Sequence, residues 1–210
     1  MKTTKQLKKI SITLLLIANL SLVSWAQQTV SWNEDDRKYL LENLIRSRDE
    51  LIKETKGLTK AQWSFKESPD RWSINQVVEH IAIWELLMTH YIHNQLETKP
   101  HPEWSTDKGV DTLFVNFIME EKQHYSLEYT KPFSYTIPLG LNDLNNNLAW
   151  LSKMRNESIE FVKTAKQDLR VYYLGEKDGN VHQTYITLFG HGDRHLRQIK
   201  KVKQHPKYPK

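Results

Sequence analysis

Two histidines stand four residues apart in the stretch Phe189-Gly190-His191-Gly192-Asp193-Arg194-His195-Leu196-Arg197-Gln198-Ile199. If this stretch is helical, roughly 100° per residue puts both imidazoles on one face, one turn apart. Imidazoles so placed can share one divalent metal ion. A lone histidine on an apolar face is more often a hydrogen-bonded core residue than a ligand. A pair at this spacing shifts that balance. Burying unpaired polar rings costs free energy, and one cation relieves both. The glycines flanking His191 let a neighbouring helix or a ligand approach closely.

A third ligand must come from elsewhere. The candidates are His80, His90, His93, His124 and Glu85. His80 falls inside the apolar arc of its own segment, beside Val77, Trp84 and Leu87, and so does Glu85. His90 and His93 follow the polar edge of the same segment, and His124 lies in an irregular region. His182 precedes His191 by roughly two helical turns, which reads as too distant. His101 and His205 are flanked by prolines and read as exposed.

The elements that must position these residues follow from periodicity. Residues 31 to about 56 carry Tyr39, Leu40, Leu44, Ile45, Leu51 and Ile52 at spacings near 3.6, with charges between them, and Gly57 is a helix stop. Residues 58–72 read as a connection whose aromatics, Trp63, Phe65 and Trp72, seal the end of a bundle or line a pocket. Ser73 with Gln76 forms a capping-box pattern that opens a second helix running to about Glu97, ahead of Pro100 and Pro102.

Residues 99–141 are the least regular. A short helix is expected over 110–125, and Pro132, Pro138 and Gly140 mark an extended connection over 130–140. Asn142 or Asp143 caps a third helix to about Lys166, with Leu144, Leu148, Leu151, Arg155, Ile159 and Val162 on one stripe. Residues 169–179 read as an extended loop or small hairpin, and a last helix spans Val181 to about Lys203. Four amphipathic helices with a long crossover between the second and third predict an all-α four-helix bundle, a fold that builds metal sites from side chains on facing helices.

Residues 1–26 have the layout of a secretory signal peptide: Lys2, Lys5, Lys8 and Lys9, then an apolar run, then Ser24-Trp25-Ala26. The expected organisation is therefore a signal over 1–26, one domain over 30–203 and a tail over 204–210, with a periplasmic destination. An uncleaved anchor is the alternative, but the apolar run is short against the about 20 residues a spanning helix needs. The formal charge of +5 includes four lysines before Ala26 and no acid there, which leaves +1 for the rest. Neither nucleic acid nor stable membrane insertion is expected as a partner. The absence of cysteine excludes disulfides and a thiol nucleophile.

Two blocks resemble the DinB-like superfamily of small metal-binding four-helix bundles. One is Arg71-Trp72-Ser73-Ile74-Asn75-Gln76-Val77-Val78-Glu79-His80-Ile81, and the other is His191-Gly192-Asp193-Arg194-His195-Leu196-Arg197-Gln198-Ile199. Pro132…Pro138-Leu139-Gly140 and Gly175…Gly179-Asn180-Val181 are fainter matches. The resemblance implies a site of three histidines, His80, His191 and His195, holding a divalent metal with an open position. Zinc or nickel suits three imidazoles best, and manganese and iron occur in the family. It also implies either a metal-dependent hydrolase or a metal-dependent thiol transferase acting on small thiols. Export argues against the latter, and a metal- or ligand-binding bundle without chemistry stays open beside both.

Other roles are coarser. Asp193 points away from the histidine face and reads as a surface charge or cap contact. Gln198 is placed to orient a ligand or substrate. Glu85 either fixes an imidazole tautomer or pairs with Arg155. Trp72 and Trp84 fill core by default and wall a pocket otherwise. The substrate is a small molecule that the sequence does not identify. Dimers are common among such bundles, and no residue here demonstrates one.

Overall fold

The computed structural model describes residues 31–105, 108–119, 135–176 and 178–210. The expected signal segment, His124 and the stretch 120–134 lie outside them. The described chain is all-helical: α1 Glu34–Thr55, α2 Lys60–Ser64, α3 Ile74–Leu96, a 3₁₀ turn Pro102–Trp104, α4 Lys108–Met119, α5 Leu144–Thr164 and α6 Val181–Lys203.

Caps set most of these boundaries. Asn33 with Asp36, Ser73 with Gln76, and Asn180 with Gln183 each form a reciprocal capping box, which satisfies amide donors that a helix start leaves open. Asp143, not Asn142, caps α5 through the Asn146 amide. Residues 58–72 are not simply a connection. Thr59 and Gln62 form a further capping box, so Lys60–Ser64 makes one short helix. No strand occurs among the described residues, so the hairpin alternative for 169–179 is corrected to turns. Here the carbonyls of Leu169 and Tyr172 accept the first amides of α6, His182 N–H at 3.1 Å and Val181 N–H at 3.2 Å. Main-chain groups spent on a helix start cannot also form a hairpin ladder.

Two buried clusters give the helix directions. Leu51, Ile74, Val77, Leu144, Leu148, Ile199 and Val202 gather at one end; Leu40, Leu44, Ile92, Val162, Val181 and Tyr185 gather at the other. So α1 and α6 run one way while α3 and α5 run the opposite way. α1 packs between α5 and α6, and α3 closes the ring against the same two helices. Because α3 and α5 are parallel neighbours, the chain must travel the bundle's full length between them, which requires the long crossover.

Part of that crossover, α4, packs on α6. With α3 on another side, this leaves the first half of α6 buried nearly all round: His182 and Gln183 meet Asp111 of α4, and Thr184 donates to Gln95 of α3. In α1 the buried stripe is Asp36, Leu40, Leu44, Ser47, Leu51 and Thr55, while Tyr39 and Ile45 lie at its exposed edges. Trp63, Phe65 and Trp72 pack on the cluster at the Ile74 end, and the terminal residues fold back onto them through Tyr208 on Phe65. His205 packs there too, against Phe65, and is half-buried rather than exposed.

Candidate metal centre

His191 and His195 lie on successive turns of α6, and His80 lies in the second turn of α3, which packs against α6. The three imidazoles converge. The Nε2 atom of His191 is 3.2 Å from His80 Nε2 and 3.0 Å from His195 Nε2. All three residues are buried, 3%, 8% and 3% exposed for His80, His191 and His195. They are the one cluster of metal-capable groups found among the described residues.

The opposite edges of two rings set the proton positions. His80 Nδ1 is 2.7 Å from the Thr136 carbonyl oxygen, and His195 Nδ1 is 2.8 Å from the Gln198 side-chain oxygen. A carbonyl oxygen accepts and cannot donate, so both Nδ1 atoms carry their protons and both Nε2 atoms present lone pairs. His191 Nδ1 has no hydrogen-bond partner among the described residues, and the Trp84 ring stacks over that imidazole with centroids 4.6 Å apart. Trp72 lies against His80 with centroids 4.8 Å apart. Both tryptophans thus touch the imidazoles as well as filling core.

Electrostatics keeps the set neutral. Burial pushes the His80 imidazole down to about 4, against the pull of the Thr136 carbonyl. Burial, followed by repulsion from neighbouring imidazoles and from Arg194, pushes His191 and His195 well below the usual histidine range. The lone pairs of His80 and His195 both face His191 Nε2, an arrangement that one shared cation can satisfy on all three rings. Tetrahedral zinc with nitrogens at about 2.0–2.1 Å would separate those nitrogens by about 3.3 Å, close to the spacing found. The residues therefore fit a divalent ion of borderline character.

The surrounding carboxylates are engaged elsewhere. Glu85 binds Arg155, with Nε to Oε1 at 2.9 Å, which settles its two alternatives in favour of the ion pair. Asp193 is a partly exposed charge rather than a cap. Arg46 of α1 grips it at 2.7 Å, because α1 lies beside α6 on the side away from the imidazoles. His90 and His93 stay outside the cluster. His182 serves another network, accepting from the Trp32 indole at 3.2 Å and lying 3.5 Å from Asp111.

The sequence reading missed Thr136. Its side chain is unremarkable for the purpose, since a main-chain carbonyl orients His80, and no residue type signals that. Gln198, one turn beyond His195, was the legible counterpart.

A family model described as the DinB superfamily matches residues 43–199. Among solved structures, YfiT from Bacillus subtilis, described as "a probable metal-dependent hydrolase with an unusual four-helix bundle topology", is similar with a TM-score of 0.51 at 14% identity, over 85% of this chain and 92% of its own. At that identity the likeness shows the fold. No curated protein matches the chain.

Proposed function

This chain belongs to the DinB superfamily, and from that premise we propose that it holds a divalent metal ion on His80, His191 and His195 and hydrolyses a small molecule there. The observation that carries the reading is the meeting of three Nε2 atoms whose rings are turned inward, two of them by acceptors on their far edges. The hydrolase label of YfiT, which has the same fold, supports the choice of reaction.

A divalent ion in such a site supplies Lewis acidity, polarising an oxygen or acidifying a coordinated water. The protein's part is to bind, orient and exclude. His80 ties α3 to α6 through the centre. Thr136 and Gln198 hold two imidazoles in the Nδ1–H tautomer, so no proton competes for the inward lone pairs. Trp72 and Trp84 cover the rings and keep the local dielectric low. The donor set is neutral, which suits zinc or nickel over harder ions.

Export belongs to the same proposal. Residues 1–26 act as a cleaved signal, and mass analysis of protein recovered from a bacterial host's periplasm reads whether the chain begins after Ala26.

The test of function is elemental analysis of purified wild type and His195→Ala, followed by a screen of esters, amides and thiol–electrophile pairs. One equivalent of metal in wild type, its loss in His195→Ala and turnover of an ester or amide are expected. Stoichiometric metal with silence across the screen would leave a metal-binding bundle without chemistry. Absence of metal from both proteins, even after incubation with zinc or nickel, defeats the site.

A further inference from the structure

Residues 135–142 form a strap that crosses the first turns of α3, and three α3 side chains grip it. His80 Nδ1 donates to the Thr136 carbonyl at 2.7 Å. The Glu79 carboxylate accepts twice, Oε1 from the Leu139 amide at 3.0 Å and Oε2 from the Gly140 amide at 2.7 Å. Asn75 donates from Nδ2 to the Asn142 carbonyl at 2.7 Å. Gly140 has φ +72°, the left-handed conformation that favours glycine. Thr136 and Glu79 are buried.

We infer that Glu79 is a positioning residue for the metal centre: by clamping the strap at Leu139 and Gly140, it holds the Thr136 carbonyl where it fixes the tautomer and aim of His80. This inference rests on the proposed metal site and deepens it.

Glu79 and His80 are consecutive, so the clamp and the ligand share one piece of helical backbone and cannot drift apart. The carboxylate supplies an acceptor to each of two adjacent amides, and bonds to a charged acceptor are about twice as strong as neutral ones. A main-chain carbonyl on a connecting segment can orient a ligand only if something else fixes that segment, because a strap outside a helix has no ladder of its own. Among the described contacts, Glu79 supplies the pair of bonds nearest Thr136 on the side leading to α5.

The experiment compares full-length wild type, Glu79→Ala, Glu79→Gln and Asn75→Ala. Long-range proton–nitrogen NMR on the metal-free proteins reads the tautomer of His80. Titration with cobalt(II) reads affinity and the ligand-field spectrum. In wild type, His80 is the Nδ1–H tautomer. In Glu79→Ala it becomes a mixture, cobalt binds about 10–100-fold more weakly, and the spectrum changes. Glu79→Gln keeps one acceptor and falls between the two, and it carries the test if Glu79→Ala does not fold.

Asn75→Ala releases the strap six residues from Thr136. It lowers the melting temperature but leaves the His80 tautomer in place, which separates positioning from general stability. A folded Glu79→Ala protein with the wild-type tautomer and cobalt affinity overturns the inference. If wild type itself takes up no cobalt, the metal site falls, and the tautomer comparison still decides whether Glu79 positions His80.

Discussion

Arg155 of α5 and Glu85 of α3 form a bidentate ion pair at the centre of the bundle, with both side chains shut off from solvent. The one remaining guanidinium nitrogen, Nη1, does not go unused. Arg155 Nη1 also donates to the Ser47 hydroxyl and, at 3.2 Å, to the Leu44 carbonyl of α1. One arginine thus joins three of the four long helices. Gly192, between the two α6 histidines, faces this arginine, and a Cβ there would meet Arg155 Nη2 at an ordinary contact distance of 3.6 Å.

Removing one member of this pair leaves a buried charge without its partner. Glu85→Ala is expected to cost about 3–5 kcal/mol, whereas Glu85→Leu with Arg155→Met is expected to recover most of the loss. Urea unfolding of the singles and the double measures this. Additive losses in the double variant would show that the two side chains are not coupled and would overturn this account.

Metal should act as a clamp between α3 and α6. Zinc at about a thousandfold excess over its dissociation constant stabilises the native state by about 4 kcal/mol. His80→Ala should lose most of that gain while keeping its metal-free stability within about 2 kcal/mol of wild type. Thermal melts with zinc and with chelator give the comparison. An equal zinc response in both proteins removes His80 from the ligand set.

Acid should attack the far end of the bundle. Arg170 is buried between Asp36, at 3.0 Å, and Asp111, at 2.7 Å. Burial pushes both carboxyls up, but hydrogen bonds and charge from Arg170 and His182 outweigh it and hold both below the usual range. Depressed folded values stabilise the native state above the unfolded carboxyl range, and that contribution is lost as pH falls through the folded values. The unfolding free energy should therefore fall by about 2 kcal/mol between pH 5 and pH 2 through these groups. Urea midpoints across that range should drop less steeply in Asp111→Asn, and a parallel drop would assign the acid sensitivity elsewhere.

Asp193 should matter little to the centre. Its bond to Arg46 joins a side chain 18% exposed to one 40% exposed, so Asp193→Asn should cost under about 1 kcal/mol and leave metal stoichiometry unchanged. Elemental analysis of that variant checks it, and a loss of metal would bring Asp193 into the site.

The helices were legible because their signals are local. A capping box spans four residues, and a 3.6-residue apolar repeat identifies the buried face of α3, α5 and α6 without knowledge of the partner. The same locality explains the failures. The Thr59–Gln62 box is as clear as that of Ser73, but a five-residue helix carries no apolar repeat to confirm it. The contacts of His182 and Gln183 with Asp111 were invisible, since they depend on α4 covering a side of α6 that the four long helices leave open.

By itself the sequence determined that His191 and His195 share a face and that His80 lies on an apolar arc, because helical geometry converts spacing directly into direction. Its family resemblance joined the three. Only the tertiary structure decided that their Nε2 atoms meet, that Glu85 belongs to Arg155 and Asp193 to Arg46, and that the Thr136 carbonyl aims His80. Those outcomes depend on which helices are neighbours and where a strap crosses them. The Thr136 carbonyl is a main-chain group that any residue type supplies, and the ion pairs join residues far apart in the sequence, so spacing along the chain left the choice among partners open.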